Sequence, residues 1–333
     1  MLVPPFQGSP VLMAFLSGSS IVAILVGVRR NRPGSAAPWL LFALAQLLFF
    51  LGDVYTYVYP MLIGHDVPFP SFGDAFYLAQ YPALMLGILL IVRRRNPYGD
   101  RAGVIDAVMI TVGIGLLSWV FLIAPYVNDA TLGALAKAVS VAYPVGDVLL
   151  VAALLRLLFD GGRRPAAFNL LVASGAALFL TDAAYGYALL DGSYHHQLIY
   201  DAGWIAYYLL WGSVALDPTM RNLTEATVDR ERRLTTRRLA FLTTASLLAP
   251  AVEIVRESGS GNVDLLVVEG ATMVLVVLVI LRVVGLARQH ERAVARERTL
   301  GEASAALVAA GSDTTALRAA MQQAATTLVS AAG

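Results

Sequence analysis

Apolar residues run along this chain in long blocks, and each block closes on arginine, proline, glycine or a cluster of acids. Several of these runs reach the roughly 20 residues needed for a helix to cross a bilayer. Nine spans are predicted, at 10–28, 37–59, 73–92, 104–126, 132–158, 166–190, 197–216, 239–254 and 263–286. Pro250 and Glu253 interrupt the outer end of the eighth. The expected fold is an all-α polytopic transmembrane bundle spanning residues 1–286.

Charge orients the bundle. Arg29, Arg30 and Arg32 follow the first span, Arg93, Arg94, Arg95 and Arg101 the third, and Arg156, Arg163 and Arg164 the fifth. Six arginines from Arg221 to Arg238 follow the seventh, and six from Arg282 to Arg318 mark the tail. Only Lys137 and Arg256 fall elsewhere. The positive-inside rule places the arginine loops in the cytoplasm. The N-terminus is then outside and the C-terminus inside, which an odd number of spans satisfies. The expected location is the plasma membrane, with lipid as the surrounding partner.

Composition agrees. The chain is 58% hydrophobic and 14% charged, with a mean hydropathy of +0.68, against about a quarter charged in soluble domains. Cysteine is absent, which removes disulfides and thiol chemistry. No soluble basic face exists to bind nucleic acid. No glycine-rich phosphate loop is present, and no cofactor is expected.

The acids gather opposite the arginines. Asp53 and Asp182 lie in the outer parts of the second and sixth spans, and Asp74 and Asp201 open the third and seventh. Asp147 lies near the middle of the fifth. An ionisable group in lipid is costly without a partner. Asp74, Tyr77 and Tyr81 repeat the spacing of Asp201, Trp204 and Tyr208, which puts acid and rings on one helix face. Phe49-Phe50-Leu51-Gly52-Asp53 resembles Leu178-Phe179-Leu180-Thr181-Asp182. These matches suggest a parallel repeat of four plus four spans, followed by a ninth. The nine residues Asp53, Asp74, Tyr77, Tyr81, Asp147, Asp182, Asp201, Trp204 and Tyr208 form the candidate site for a small ligand or ion at the outer face. The competing reading makes Asp74 and Asp201 helix caps, Asp147 one end of an interhelical hydrogen bond, and the outer tyrosines an aromatic belt. His65, His195 and His196 stand near the outer acids, but without a tight motif no metal centre is expected.

Past the ninth span the chain turns polar. Residues 287–311 read as a charged cytoplasmic helix or coiled coil, and 312–333 as the start of a further domain. The motifs Pro70-Ser71-x-x-Asp74-x-x-Tyr77-Leu78-x-x-Tyr81-Pro82, Ala142-Tyr143-Pro144-x-x-Asp147, Asp201-x-Gly203-Trp204 and Asp217-Pro218-x-Met220 together resemble the multi-span sensory region of actinobacterial GGDEF/EAL receptors. Those receptors make or degrade cyclic di-GMP, and a similar region precedes histidine-kinase-like modules. The resemblance covers the second to about the seventh span. The tail from 297 to 329 is similar to the first helices of a GAF domain. Asp217 departs from the histidine of the family pattern. The resemblance implies a sensor that relays an envelope signal to a cytoplasmic output module, acting as a homodimer. No GGDEF, EAL or kinase signature is present, so no enzymatic activity is expected of these residues. A transporter or channel using the intramembrane carboxylates is the alternative.

Overall fold

The computed structural model describes residues 10–97, 100–160, 162–194, 197–225, 242–244, 247, 265–310, 318 and 321–322. All of its regular elements are helical. They are α1 (Pro10–Asn31), α2 (Ala37–Asp53), α3 (Tyr59–Ile63), α4 (Phe72–Arg95), α5 (Arg101–Ser118), α6 (Ala124–Asn128), α7 (Ala134–Leu158), α8 (Ala166–Asp191), α9 (Gln197–Leu216) and α10 (Leu265–Ala310). Among the described residues seven helices are long and apolar enough to cross a membrane, and by that measure the chain is a helical membrane protein. α9 has the length, at 20 residues. It is not among the seven, because Asp201, Trp204, Tyr207, Tyr208 and Trp211 interrupt its apolar run. The expected eighth span at 239–254 falls almost wholly outside the described residues.

Two rods run further than their apolar blocks suggested. A π-helical turn at Val54–Val58 joins α2 to α3, and another at Trp119–Ile123 joins α5 to α6. Pro60 and Pro125 sit just beyond these turns, near the start of α3 and α6. Proline has no N–H to give the carbonyl four residues back. A wider turn meets that gap, since the Tyr59 and Ala124 amides bond five residues back, to Val54 and Trp119. Pro82 and Pro144, in contrast, are carried inside continuous α4 and α7.

The chain divides into two compact units, Met1–Val276 and Val277–Gly333. In the first, packing passes from α1 to α2, α4, α7, α8 and α9 and back to α1, with α5 against α7. Glycine permits the tightest approach: any Cβ on Gly27 of α1 would run into the Ala215 carbonyl of α9. The centre holds Trp39, Phe42, Tyr207, Tyr208 and Trp211 together with Ser20, Gln46 and Gln80, all buried. The rim is apolar: Phe15, Leu40, Leu86, Leu149, Leu180 and Leu209 are exposed. Polar inside and apolar outside is the arrangement a lipid solvent selects. The second unit holds the distal part of α10, where Ile280, Leu281, Val283 and Val308 are exposed.

Candidate functional site

The site begins with the N-terminus of α4. Ser71, in extended conformation, accepts from the Gly73 amide, while the Asp74 carboxylate accepts from the Ser71 amide at 2.7 Å. This capping box satisfies two of the helix's free donors. Asp74 is therefore a helix cap, and it also accepts from the Tyr143 hydroxyl of α7 at 2.8 Å. Asp201 makes no such cap. It lies in the second turn of α9 and forms no cap bond, so of the two acids read as opening spans only Asp74 fills that role.

One and two turns along α4 come Tyr77 and Tyr81, on the face that looks into the bundle. Tyr77 donates to Asp53 Oδ1 on α2 at 3.0 Å. Tyr208 of α9 donates to Asp53 Oδ2 at 2.7 Å. On the other side, Trp204 Nε1 of α9 donates to Asp182 Oδ1 on α8 at 2.8 Å. Tyr81 of α4 reaches Asp182 Oδ2 at 3.4 Å and Asp147 Oδ1 of α7 at 2.9 Å. The geometry is crossed. Asp53 takes one donor from α4 and one from α9, while Asp182 takes its donor from α9 and has the Tyr81 hydroxyl of α4 at the longer 3.4 Å. The two helices supply these donors from matching positions, three and seven residues after Asp74 and Asp201.

Tyr81 has one proton and faces two carboxylates, so its hydroxyl donates to one of them at a time. The shorter distance favours Asp147. Among the described residues, lysine, arginine and histidine take no part in the hydrogen bonds to Asp53, Asp74, Asp147 and Asp182. Their partners are neutral phenols, an indole, and a backbone amide and hydroxyl.

Glycine explains how the rings come so close. A Cβ on Gly52 would strike the Tyr77 ring, and one on Gly146 would strike the Tyr81 ring. Each glycine directly precedes the acid that the same ring serves, Asp53 and Asp147. The sequence carried this signal as Gly-Asp pairs, and it went unread.

Below this layer a further chain was missed. Ser20 donates to Gln46 Oε1 at 3.1 Å, Gln46 Nε2 donates to the Tyr207 hydroxyl at 2.6 Å, and Tyr207 donates to Gln80 Oε1 at 3.5 Å. It ties α1, α2, α9 and α4 together through neutral groups.

The arginine end differs from its expectation at one position. Arg95, read as one of a solvated loop cluster, is buried and paired with buried Asp160 at 2.9 Å. It also donates to the Arg163 carbonyl at 2.9 Å and lies over the Phe168 ring. Arg93 lies about 24 Å beyond Tyr77 along α4, at ~1.5 Å per residue. The acids and the arginines therefore occupy opposite ends of α4.

The tyrosines at the acid end form two ring groups. Tyr55 stacks on Tyr59 at 5.4 Å. Tyr194 stacks on Tyr200 at 5.4 Å, and Tyr185 meets Tyr194, Tyr200 and Trp204 edge-on. Burial, followed by the charge of Asp201, raises the Tyr194 hydroxyl above its ordinary range. His65 is exposed beside the Asp66 carbonyl, and His195 and His196 lie outside the described residues. Among the described residues no three acids or histidines stand close enough to hold a metal ion.

Fold and site together define a helical membrane protein with a carboxylate and aromatic centre. No family model, curated protein or solved structure matches the chain.

Proposed function

We propose that this chain is the membrane-embedded sensory part of a signal transducer. The observation that carries the reading is the crossed exchange at Asp53 and Asp182, with the Tyr81 proton placed between Asp147 and Asp182. Sliding or turning the α2–α4 pair against the α8–α9 pair breaks hydrogen bonds in both acids at once. Such a network has discrete arrangements rather than a continuum. A ligand or membrane state with different affinity for two of them, by a few kcal/mol, shifts their populations.

The exchange also supports a parallel four-plus-four repeat, since equivalent rings serve equivalent acids in opposite halves. Within this reading the chain has nine spans, with the eighth at 239–254, the acids at the outer face and the arginines in the cytoplasm. α10 supports an output role over a carrier role. Its 46 residues extend about 69 Å, more than twice the ~30 Å hydrocarbon core, and its second half is mixed in charge. A cytoplasmic GAF domain and a cyclic di-GMP module, working as a homodimer, are the proposed continuation, on the motifs quoted above.

The test replaces Asp53 and Asp182, singly, with asparagine in the complete reading frame, and cyclic di-GMP is measured in cells under changed envelope conditions. The reading expects altered basal output and a lost response. Unchanged output and response in both variants would make the acids structural. Saturable solute uptake into proteoliposomes, abolished by the same variants, would assign a transporter instead.

A further inference from the structure

Asp201 stands apart from the other acids of the bundle. Asp53, Asp74, Asp147 and Asp182 all accept from phenol, indole or backbone donors. Asp201 is as deeply buried as Asp53 and Asp147, at 2% exposed, yet neither carboxylate oxygen meets a hydrogen-bond donor among the described residues. A buried carboxylate left this way is strongly unfavourable. It neither caps α9 nor belongs to the crossed exchange. Its position calls for a partner that the described chain does not supply.

The surroundings define that partner. Trp204 is three residues on, one turn along the same face of α9. Tyr185, Tyr194, Tyr200 and Trp204 form one connected ring group, with centroids 5.3 to 5.9 Å apart. Tyr57, in the π-helical turn after α2, and Tyr194 lie within electrostatic reach of Asp201. Lys137, at the same end of the bundle, donates instead to the Val127 carbonyl. Tyr194 and Tyr200 are half-buried, so the group reaches the surface of the bundle.

One acid among aromatic faces suits a particular cation. Calcium and magnesium require about six or more oxygens, and among the described residues no group of three acids or histidines stands here to begin such a set. A poorly hydrated organic ammonium gains from ring faces as well as from a carboxylate. We infer that Asp201, Tyr57, Tyr185, Tyr194 and Trp204 form a binding site for a small organic ammonium ion. The bound cation would touch Trp204, whose indole N–H holds Asp182, and so would bear directly on the crossed exchange. This deepens the sensory reading by naming the class of its ligand, but binding is measured apart from output.

The experiment uses the full chain in lipid nanodiscs. Tetramethylammonium, choline and putrescine are titrated against sodium chloride at constant ionic strength, with thermal unfolding and tryptophan fluorescence as readouts. At least one probe should give a saturable rise in unfolding temperature that sodium does not. Asp201→Asn should weaken that probe at least tenfold, and Asp129→Asn, on an exposed turn, should not. Tyr194→Leu, further from the bundle centre, should also weaken it, and it serves as the reporter where Asp201→Asn fails to fold. The inference is overturned if all three probes match sodium, or if both site variants bind as tightly as the parent. In that event a changed cyclic di-GMP output in the Asp53 and Asp182 variants would still leave the sensory reading standing.

Discussion

A carboxylate in the middle of a bundle is held here by hydroxyl and indole donors. Hydrogen bonds to a charged acceptor contribute about 1.5–3 kcal/mol each, and leaving a buried acceptor without its donor costs about as much. Tyr81 is the most connected donor, since its hydroxyl faces both Asp147 and Asp182. Tyr81→Phe should therefore destabilise the protein by about 1–3 kcal/mol, read as a lower unfolding temperature in detergent. Tyr187→Phe, at a position 48% exposed and in ring contact with Phe121, should leave it unchanged. The acids themselves were legible in the sequence because few residues are so out of place in an apolar block. Their partners were less so. Tyr77, Tyr81, Trp204 and Tyr208 could be grouped by helical spacing, but which acid each ring serves depends on how the helices pack. Tyr143 entered only as part of a motif, and Gln46, Gln80 and Tyr207 gave no distinguishing signal.

At the scale of the element, apolar run length placed the helices well, because one solvent property fixes both. The described helix starts at residues 10, 37, 134, 166 and 197 lie within two residues of the expected ones. The expected spans already ran through Val54–Val58 and Trp119–Ile123 to residues 59 and 126, but the π-helical turns there and the last residues to Ile63 and Asn128 were not legible. Tyrosine and proline read as a span boundary, whereas a widened turn lets the helix continue. The glycines beside the acids act at this scale too, setting how near α4 comes to α2 and α7. Gly52→Val would push Tyr77 off Asp53, combining an overpacked contact of about 1–3 kcal/mol with a lost donor. It should destabilise more than Tyr77→Phe does, when the two are compared by thermal unfolding of the purified protein. Gly212 of α9 leaves ordinary contact distance to Ala23, and Gly212→Ala should be close to neutral.

For the whole molecule, the division of charge between the two ends is the organising fact. Arg95 and Asp160 form a buried pair at one end, and removing either partner of such a pair costs about 3–5 kcal/mol. The sequence placed Arg95 at the correct end but in the wrong medium, because Asp160 lies 65 residues away and only folding brings them together. The proposed orientation is open to direct test, since the chain has no cysteine of its own. Single cysteines at residues 66 and 94 should label differently: residue 66 with a membrane-impermeant maleimide on intact cells, residue 94 only after permeabilisation. Labelling of both from the same side would reverse or dissolve the proposed topology.

Because Asp53 is served by Tyr208, and the Tyr81 hydroxyl stands between Asp147 and Asp182, neither half of the chain holds its acids alone. Heritable change in one half alters the conditions under which the other half is tolerated. The two halves are therefore bound to drift in step, and a segment transplanted from a distant relative would have to bring its counterpart with it.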